Sequence, residues 1–185
     1  MNSHSIMRFG GYAAIASALL YLASIVLWMG SGDAGTPPPA ATALYNGSSI
    51  LFLVTLFALY RLHGPEAPAL SLVAALLLAI SMVASLFIDP TALDDPRVLL
   101  LTACYGAGAL LLGWLAWRSP RLPRGVAILA VLMGVLTLLM LPMMLAGAAD
   151  ITGIANLVVG LLYVAWLLWL SWIFLKGNTA TAQAA

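Results

Sequence analysis

The chain has 185 residues, of which 64% are hydrophobic and only 7% charged, with a formal net charge of +1 and a mean hydropathy of +1.09. A soluble domain carries roughly a quarter charged residues to cover its surface, so this composition excludes an ordinary water-facing globule and calls for a surface that faces lipid. The near-neutral charge excludes bulk electrostatic binding of nucleic acid. The lone Cys104 can form neither an intrachain disulfide nor a cysteine metal cluster.

A helix crossing about 30 Å of hydrocarbon needs roughly 20 apolar residues. Six windows meet that length: 9–30, 41–60, 68–88, 98–117, 125–148 and 151–175. The apolar runs are continuous rather than alternating, which disfavours the roughly ten-residue strands of a membrane barrel. A helix also satisfies its own backbone hydrogen bonds where water is absent. The expected fold is therefore all-α: a six-transmembrane-helix bundle over 1–177, followed by a small polar tail, 178–185, that reads as disordered.

In chain order, the first window is too long for a signal-peptide core and lacks a small-x-small cleavage site, so it reads as an uncleaved span. A proline-rich loop follows, ending in three prolines that favour an extended segment. The second window runs into the turn Leu62-His-Gly-Pro-Glu-Ala-Pro68. Pro68 suits the first position of the third helix. His4 and His63 sit at the margins of the spans and read as solvated loop residues. A polar loop from Asp89 to Pro96 precedes the fourth window, and its Asp94–Asp95 pair beside Arg97 reads as a solvated turn rather than a divalent-ion site.

The fourth and fifth windows are joined by Arg118-Ser-Pro-Arg-Leu-Pro-Arg124, which holds three of the seven basic residues. In the fifth window Pro142 removes a backbone donor and should kink the helix. The methionines of Met140-Leu-Pro-Met-Met144 could bind a soft cation. Without a nearby histidine or second cysteine, they read instead as packing around an irregular helix. Almost no connector separates the fifth and sixth windows, so these should form a tight hairpin.

The charges sort by side. With the amino terminus cytoplasmic, Arg8, Arg61, Arg118, Arg121, Arg124 and Lys176 share one side with a single acid, Glu66. Asp33, Asp89, Asp94, Asp95 and Asp150 share the other with Arg97. This is the positive-inside pattern and places both termini in the cytoplasm. Trp28, Trp114, Trp117, Trp169 and Trp172, with Tyr60 and Phe174, fit an interfacial aromatic belt. Arg61, Arg118 and Lys176 close the second, fourth and sixth windows at nearly equal spacing. That spacing fits either a threefold hairpin repeat or equal helix lengths under the charge rule.

No ionisable residue lies mid-span, which argues against a proton-coupled transporter, a Schiff-base pigment or a bis-histidine haem protein. No nucleophile lies within reach of a base, so neither catalytic residues nor cofactors are expected. Uncharged polar groups gather toward the extracytoplasmic half: Asn46, Ser49, Ser85, Thr102, Tyr105 and Asn156. They read either as a shallow outward-facing pocket or as interhelical hydrogen bonds. Gly10, Ala14 and Ala18, and Ala109 with Gly113, form small-residue faces that let helices approach, inside the chain or against a homo-oligomer or membrane-protein partner. Arg118, Arg121 and Arg124 suit anionic lipid head groups.

The strings Leu20-Tyr-Leu, Leu59-Tyr-Arg-Leu62, Leu112-Gly-Trp-Leu-Ala-Trp-Arg118 with Leu122-Pro-Arg-Gly125, and Leu162-Tyr-x-x-Trp166 resemble those of small polytopic bacterial integral membrane proteins of unknown function. The resemblance implies the bacterial inner membrane and brings no site residues with it. The functional expectation is binding or translocation of a small neutral or lipid-like molecule. The alternative is a non-catalytic accessory subunit of a membrane complex.

Overall fold

A computed structural model describes residues 3–31, 37–89 and 95–176, with side chains from residue 5. The described residues form six helices and no strand: α1 (Ser3–Gly30), α2 (Pro39–His63), α3 (Pro68–Ala84), α4 (Pro96–Arg118), α5 (Arg124–Leu145) and α6 (Ala149–Lys176). Each expected window falls on one helix, although α3 ends at Ala84 and α5 at Leu145, short of the expected 88 and 148. The expected tail, Asp33 and Asp94 lie outside the described residues. All helices but α3 are long and apolar enough to cross a membrane. Their outer faces keep large apolar side chains exposed, among them Phe57, Leu139, Leu161 and Trp172, and so much apolar surface marks a membrane-facing exterior. The architecture is that of a multi-pass membrane protein.

The third helix is shorter than expected. It has 17 residues, about 25 Å at 1.5 Å per residue. Beyond Ala84 the winding tightens, with Leu86 donating to Val83 and Phe87 to Ala84. Ser85 turns its hydroxyl back onto the Met82 carbonyl at 2.9 Å. Asp89 precedes a proline, which disfavours helical backbone there. The helix therefore unwinds before its apolar run ends.

Two compact units divide the chain. One contains the described residues up to Leu62 and those from Val164; the other is His63–Tyr163, so the division falls within α6. In the first unit, α1 and α2 run antiparallel with little between them. A Cβ on Gly10 would lie 2.5 Å from that of Ala58, and Ala14 and Ala18 are fully buried. The buried Ser17 and Ser48 exchange hydroxyl-to-carbonyl bonds at 3.0 and 2.9 Å. Thr55 donates to the Gly10 carbonyl at 3.3 Å. From α6, Trp166 meets Phe52 edge-on, and Phe174 fills the space left by Gly10 and Gly11. Phe174 is thus buried, correcting its expected place in the aromatic belt. The bare backbone at Gly10 leaves room for its ring, and that at Gly11 for its Cβ and for Leu175.

In the second unit, α3 and α5 both run antiparallel to α4. Ser81 donates to the Leu101 carbonyl at 3.1 Å, and Gly108 lies against Leu77 and Leu78. On the other flank, a Cβ on Gly134 would stand 2.9 Å from the Gly106 carbonyl, and one on Gly113 would stand 2.7 Å from Val131 Cγ2. The small-residue faces of α1 and α4 are therefore consumed inside the chain.

Met140 and Met144 are buried with Val98 and Val159, flanked by Tyr105, Leu136 and Ala155, so these methionines pack the core. Pro142 lies in the last turn of α5. Gly147, at φ 68°, closes that helix. Gly147 donates to Met144 and Ala148 to Met143, both at 3.0 Å. This is the paired bonding of a left-handed helix cap, and it joins α5 to α6 through three residues.

At the start of α4, Asp95 accepts from the Arg97 amide at 2.8 Å and clasps its guanidinium at 3.0 and 2.6 Å. The Arg97 side chain is the main cause holding the Asp95 carboxyl below its ordinary value of 3.8. A carboxyl lowered by folding stabilises above its unfolded value, and that contribution is lost as pH falls through the folded value. The Asp95 share of the melting temperature in detergent should therefore be complete above the ordinary carboxyl value and be lost as pH falls through the lowered one. Asp95→Asn should flatten that acid limb.

Gly134→Ala should destabilise the chain by about 1–3 kcal/mol, because the new methyl would meet both Leu110 Cγ at 2.7 Å and the Gly106 carbonyl at 2.9 Å, and the backbone carbonyl cannot swing aside. Gly153→Ala, with open space around it, should cost nothing. Denaturation in graded detergent compares the two, and equal loss from both would remove α4–α5 contact as the cause.

Candidate functional site: a cavity at the basic helix ends

Two turns meet at one end of the second unit. The α2–α3 turn wraps the His63 carbonyl, which accepts from the amides of Glu66 and Ala67, both at 3.0 Å. The α4–α5 turn starts at Ser119, where the helix gives way to extended backbone before Pro120. Antiparallel packing of α3 on α4 brings the two turns together.

Glu66 joins them. Its Oε1 accepts the Ser119 hydroxyl at 3.2 Å and lies 3.4 Å from Arg121 Nε. Its Oε2 lies 3.7 Å from His63 Nδ1. The Ser119 oxygen in turn accepts the Arg121 amide at 3.2 Å. One carboxylate thus holds a hydroxyl and a guanidinium and stands near a histidine edge.

His63 corrects an expectation. It is the last residue of α2 and fully buried, not a solvated loop residue, and neither ring nitrogen has a hydrogen-bond partner. The chain reverses directly after it, and its carbonyl accepts from the amides of Glu66 and Ala67. A buried polar group without a partner costs stability that an apolar group of similar shape does not.

Beside this cluster lies a cavity of about 360 Å³, lined by Glu66, Ala67, Leu70, Trp114, Leu115, Arg118 and Pro120. It is open-sided, a groove against the helix ends rather than an enclosed chamber. Its wall is apolar at Leu70, Leu115 and Trp114. Its charged groups are Glu66 and Arg118. The Arg118 guanidinium lies 5.0 Å from the Trp114 ring centroid, a cation–π distance. Arg124 stands 5.8 Å over Trp117, and Lys176 4.7 Å over Trp172. The three arginines of the basic turn thus differ in role: Arg118 lines the cavity, Arg121 joins Glu66, and Arg124 stacks on an exposed tryptophan.

The polar residues expected to form an outward pocket are placed as follows. Asn46 and Ser49 belong to the first unit; Ser85, Thr102, Tyr105 and Asn156 belong to the second. Ser49 donates to Tyr45 of its own helix at 3.1 Å, Ser85 to Met82, and Thr102 to Val98 at 2.8 Å. Tyr105 flanks the Met140–Met144 core. Asn46 is half-buried and Asn156 exposed. None of the six lines the cavity.

Sequence reasoning missed the cavity, although a signal was present. Glu66 is the one acid among the residues grouped with the basic segments, and an acid placed against that trend has a local partner.

Comparison with protein-family models, curated proteins and solved structures finds no match to this chain.

His63→Leu removes the two unpartnered nitrogens while keeping the bulk. It should leave the melting temperature in detergent unchanged or raise it. A fall of several degrees would show that the imidazole contributes through the 3.7 Å approach to Glu66.

Proposed function

We propose that this chain is a bacterial inner-membrane protein with six spans and both termini in the cytoplasm, and that it binds a lipid-like amphiphile in the cavity beside Glu66. The observation carrying the binding reading is the cavity itself, with an apolar wall from Leu70, Trp114 and Leu115 and a charged rim from Glu66 and Arg118. A molecule matching both parts has an apolar tail and a polar head.

Charge distribution supports the topology. Within the second unit, Arg118, Arg121 and Arg124 belong to the helix ends around the cavity, while Asp89, Asp95 and Asp150 belong to the opposite ends. That is the asymmetry of the positive-inside rule. The short α3 fits a sixth span, because a helix below the hydrocarbon thickness is accommodated by local thinning of the bilayer or by flanking residues. The inner-membrane assignment rests only on the resemblance of short strings such as Leu59-Tyr-Arg-Leu62 noted in the sequence.

Binding is favoured over an accessory docking role because the small-residue faces around Gly10 and Gly113 are already occupied within the chain. It is favoured over passage through an outward pocket because the hydroxyls of Ser49, Ser85 and Thr102 are bonded to their own helices.

The test is native mass spectrometry of the full chain released from lipid nanodiscs. The wild type should retain one lipid-mass adduct, and Leu70→Trp, which fills the apolar wall, should lose it while remaining folded. Absence of any adduct from the wild type, or an adduct indifferent to Leu70→Trp, sinks the reading.

A further inference from the structure

We infer that the cavity selects its amphiphile by head-group charge, taking an oxyanion such as a phosphodiester at Arg118, and that Arg121 makes this selection possible by offsetting the charge of Glu66, which Ser119 helps to hold in place. The inference rests on the cavity-binding reading above and deepens it.

Two formal charges line the cavity, and their situations differ. Among the described residues no carboxylate lies within ion-pair distance of Arg118. Its contact is the Trp114 ring face, and a stacked guanidinium keeps its in-plane N–H donors for a planar or tetrahedral oxyanion. Glu66 is already engaged by the Arg121 guanidinium at 3.4 Å and the Ser119 hydroxyl at 3.2 Å. Arg121 does not line the cavity, so it offsets the Glu66 charge from behind and leaves Arg118 as the net charge seen by a ligand. An amphiphile with an ammonium head would need the Glu66 carboxylate, whose oxygens already face Ser119, Arg121 and His63.

This arrangement carries a signature that diffuse attraction to a basic surface lacks. Arg118→Gln removes the ligating charge. Arg121→Gln unmasks Glu66 without touching the ligand. Glu66→Gln removes the opposing charge. Arg124 stands apart over Trp117 and contributes only to the surrounding surface.

The experiment places the full chain in nanodiscs of phosphatidylcholine with an equal share of phosphatidylglycerol and reads the retained lipid by native mass spectrometry. The wild type should favour phosphatidylglycerol. Arg118→Gln should lower that preference about fivefold, the effect of one basic residue at a head group, while Arg118→Lys keeps most of it. Arg121→Gln should lower the preference, Glu66→Gln should raise it, and Arg124→Gln should leave it within about twofold, well inside the effect of one basic residue.

Competition by inorganic phosphate added to the nanodiscs would assign the oxyanion site to a soluble source, and its absence would assign it to the lipid; either upholds selection of an oxyanion. Equal retention of both lipids by the wild type overturns the inference. So do shifts in one direction for Glu66→Gln and Arg118→Gln, or equal losses from Arg118→Gln and Arg124→Gln. In those cases a retained adduct still leaves amphiphile binding standing, whereas absence of any adduct removes the reading beneath it.

Discussion

Close approach of α4 and α5 at Gly106, Gly113 and Gly134 is the constraint on which the second unit depends. In hydrocarbon the hydrophobic effect does not drive helices together, because lipid tails are as apolar as leucine. Association then comes from contact, and contact is densest where the backbone is bare. Three glycines let α5 lie directly on α4, with the Gly106 carbonyl facing Gly134. That contact fixes the direction in which the chain leaves Arg118 and re-enters at Arg124. It thereby places Ser119 and Arg121 where Glu66 can reach them.

Polar side chains follow the same logic in two ways. Ser17 with Ser48, Thr55 with Gly10, and Ser81 with Leu101 bond across helices. Each such bond contributes about 0.6–2 kcal/mol in a membrane and sets register more than it sets stability. Ser49, Ser85 and Thr102 bond within their own helices and leave the packing to apolar neighbours. Sequence position does not separate the two groups, since every one of these residues is a small hydroxyl within or at the end of an apolar run. What separates them is whether a carbonyl of a neighbouring helix lies within about 3 Å.

That is why the helices were legible in the sequence and the site was not. Continuous apolar runs punctuated by Pro68, Pro96 and Gly147 mark helices by elementary backbone physics, and the observed ends follow that punctuation. The end of α3 was misjudged because an apolar run continues to Ile88 after the winding has tightened at Ser85. His63 was misjudged for a related reason: Leu62–Pro68 reads as a turn, whereas α2 continues to His63 and the reversal comes only after it. The cavity needed Leu70 brought against Trp114 and Leu115. That is a long-range pairing set by the antiparallel fit of α3 on α4, and no local pattern encodes it.

The location of the cavity follows from what a membrane allows. Mid-span charges are costly, and this chain has none there. At helix ends, water and lipid head groups lower that cost, so ion pairs such as Glu66–Arg121 can form beside an apolar wall. A cavity at that depth has one face matched to acyl chains and another matched to polar heads. Its wall residues Leu70 and Trp114 are themselves substantially exposed, so under the proposed reading an amphiphile would enter sideways from the bilayer with its tail still in hydrocarbon. Neither a water-filled path nor an ionisable residue at mid-span is needed for that entry. The absence of mid-span charge, which disfavours ion-coupled transport, is therefore compatible with lipid recognition at the rim.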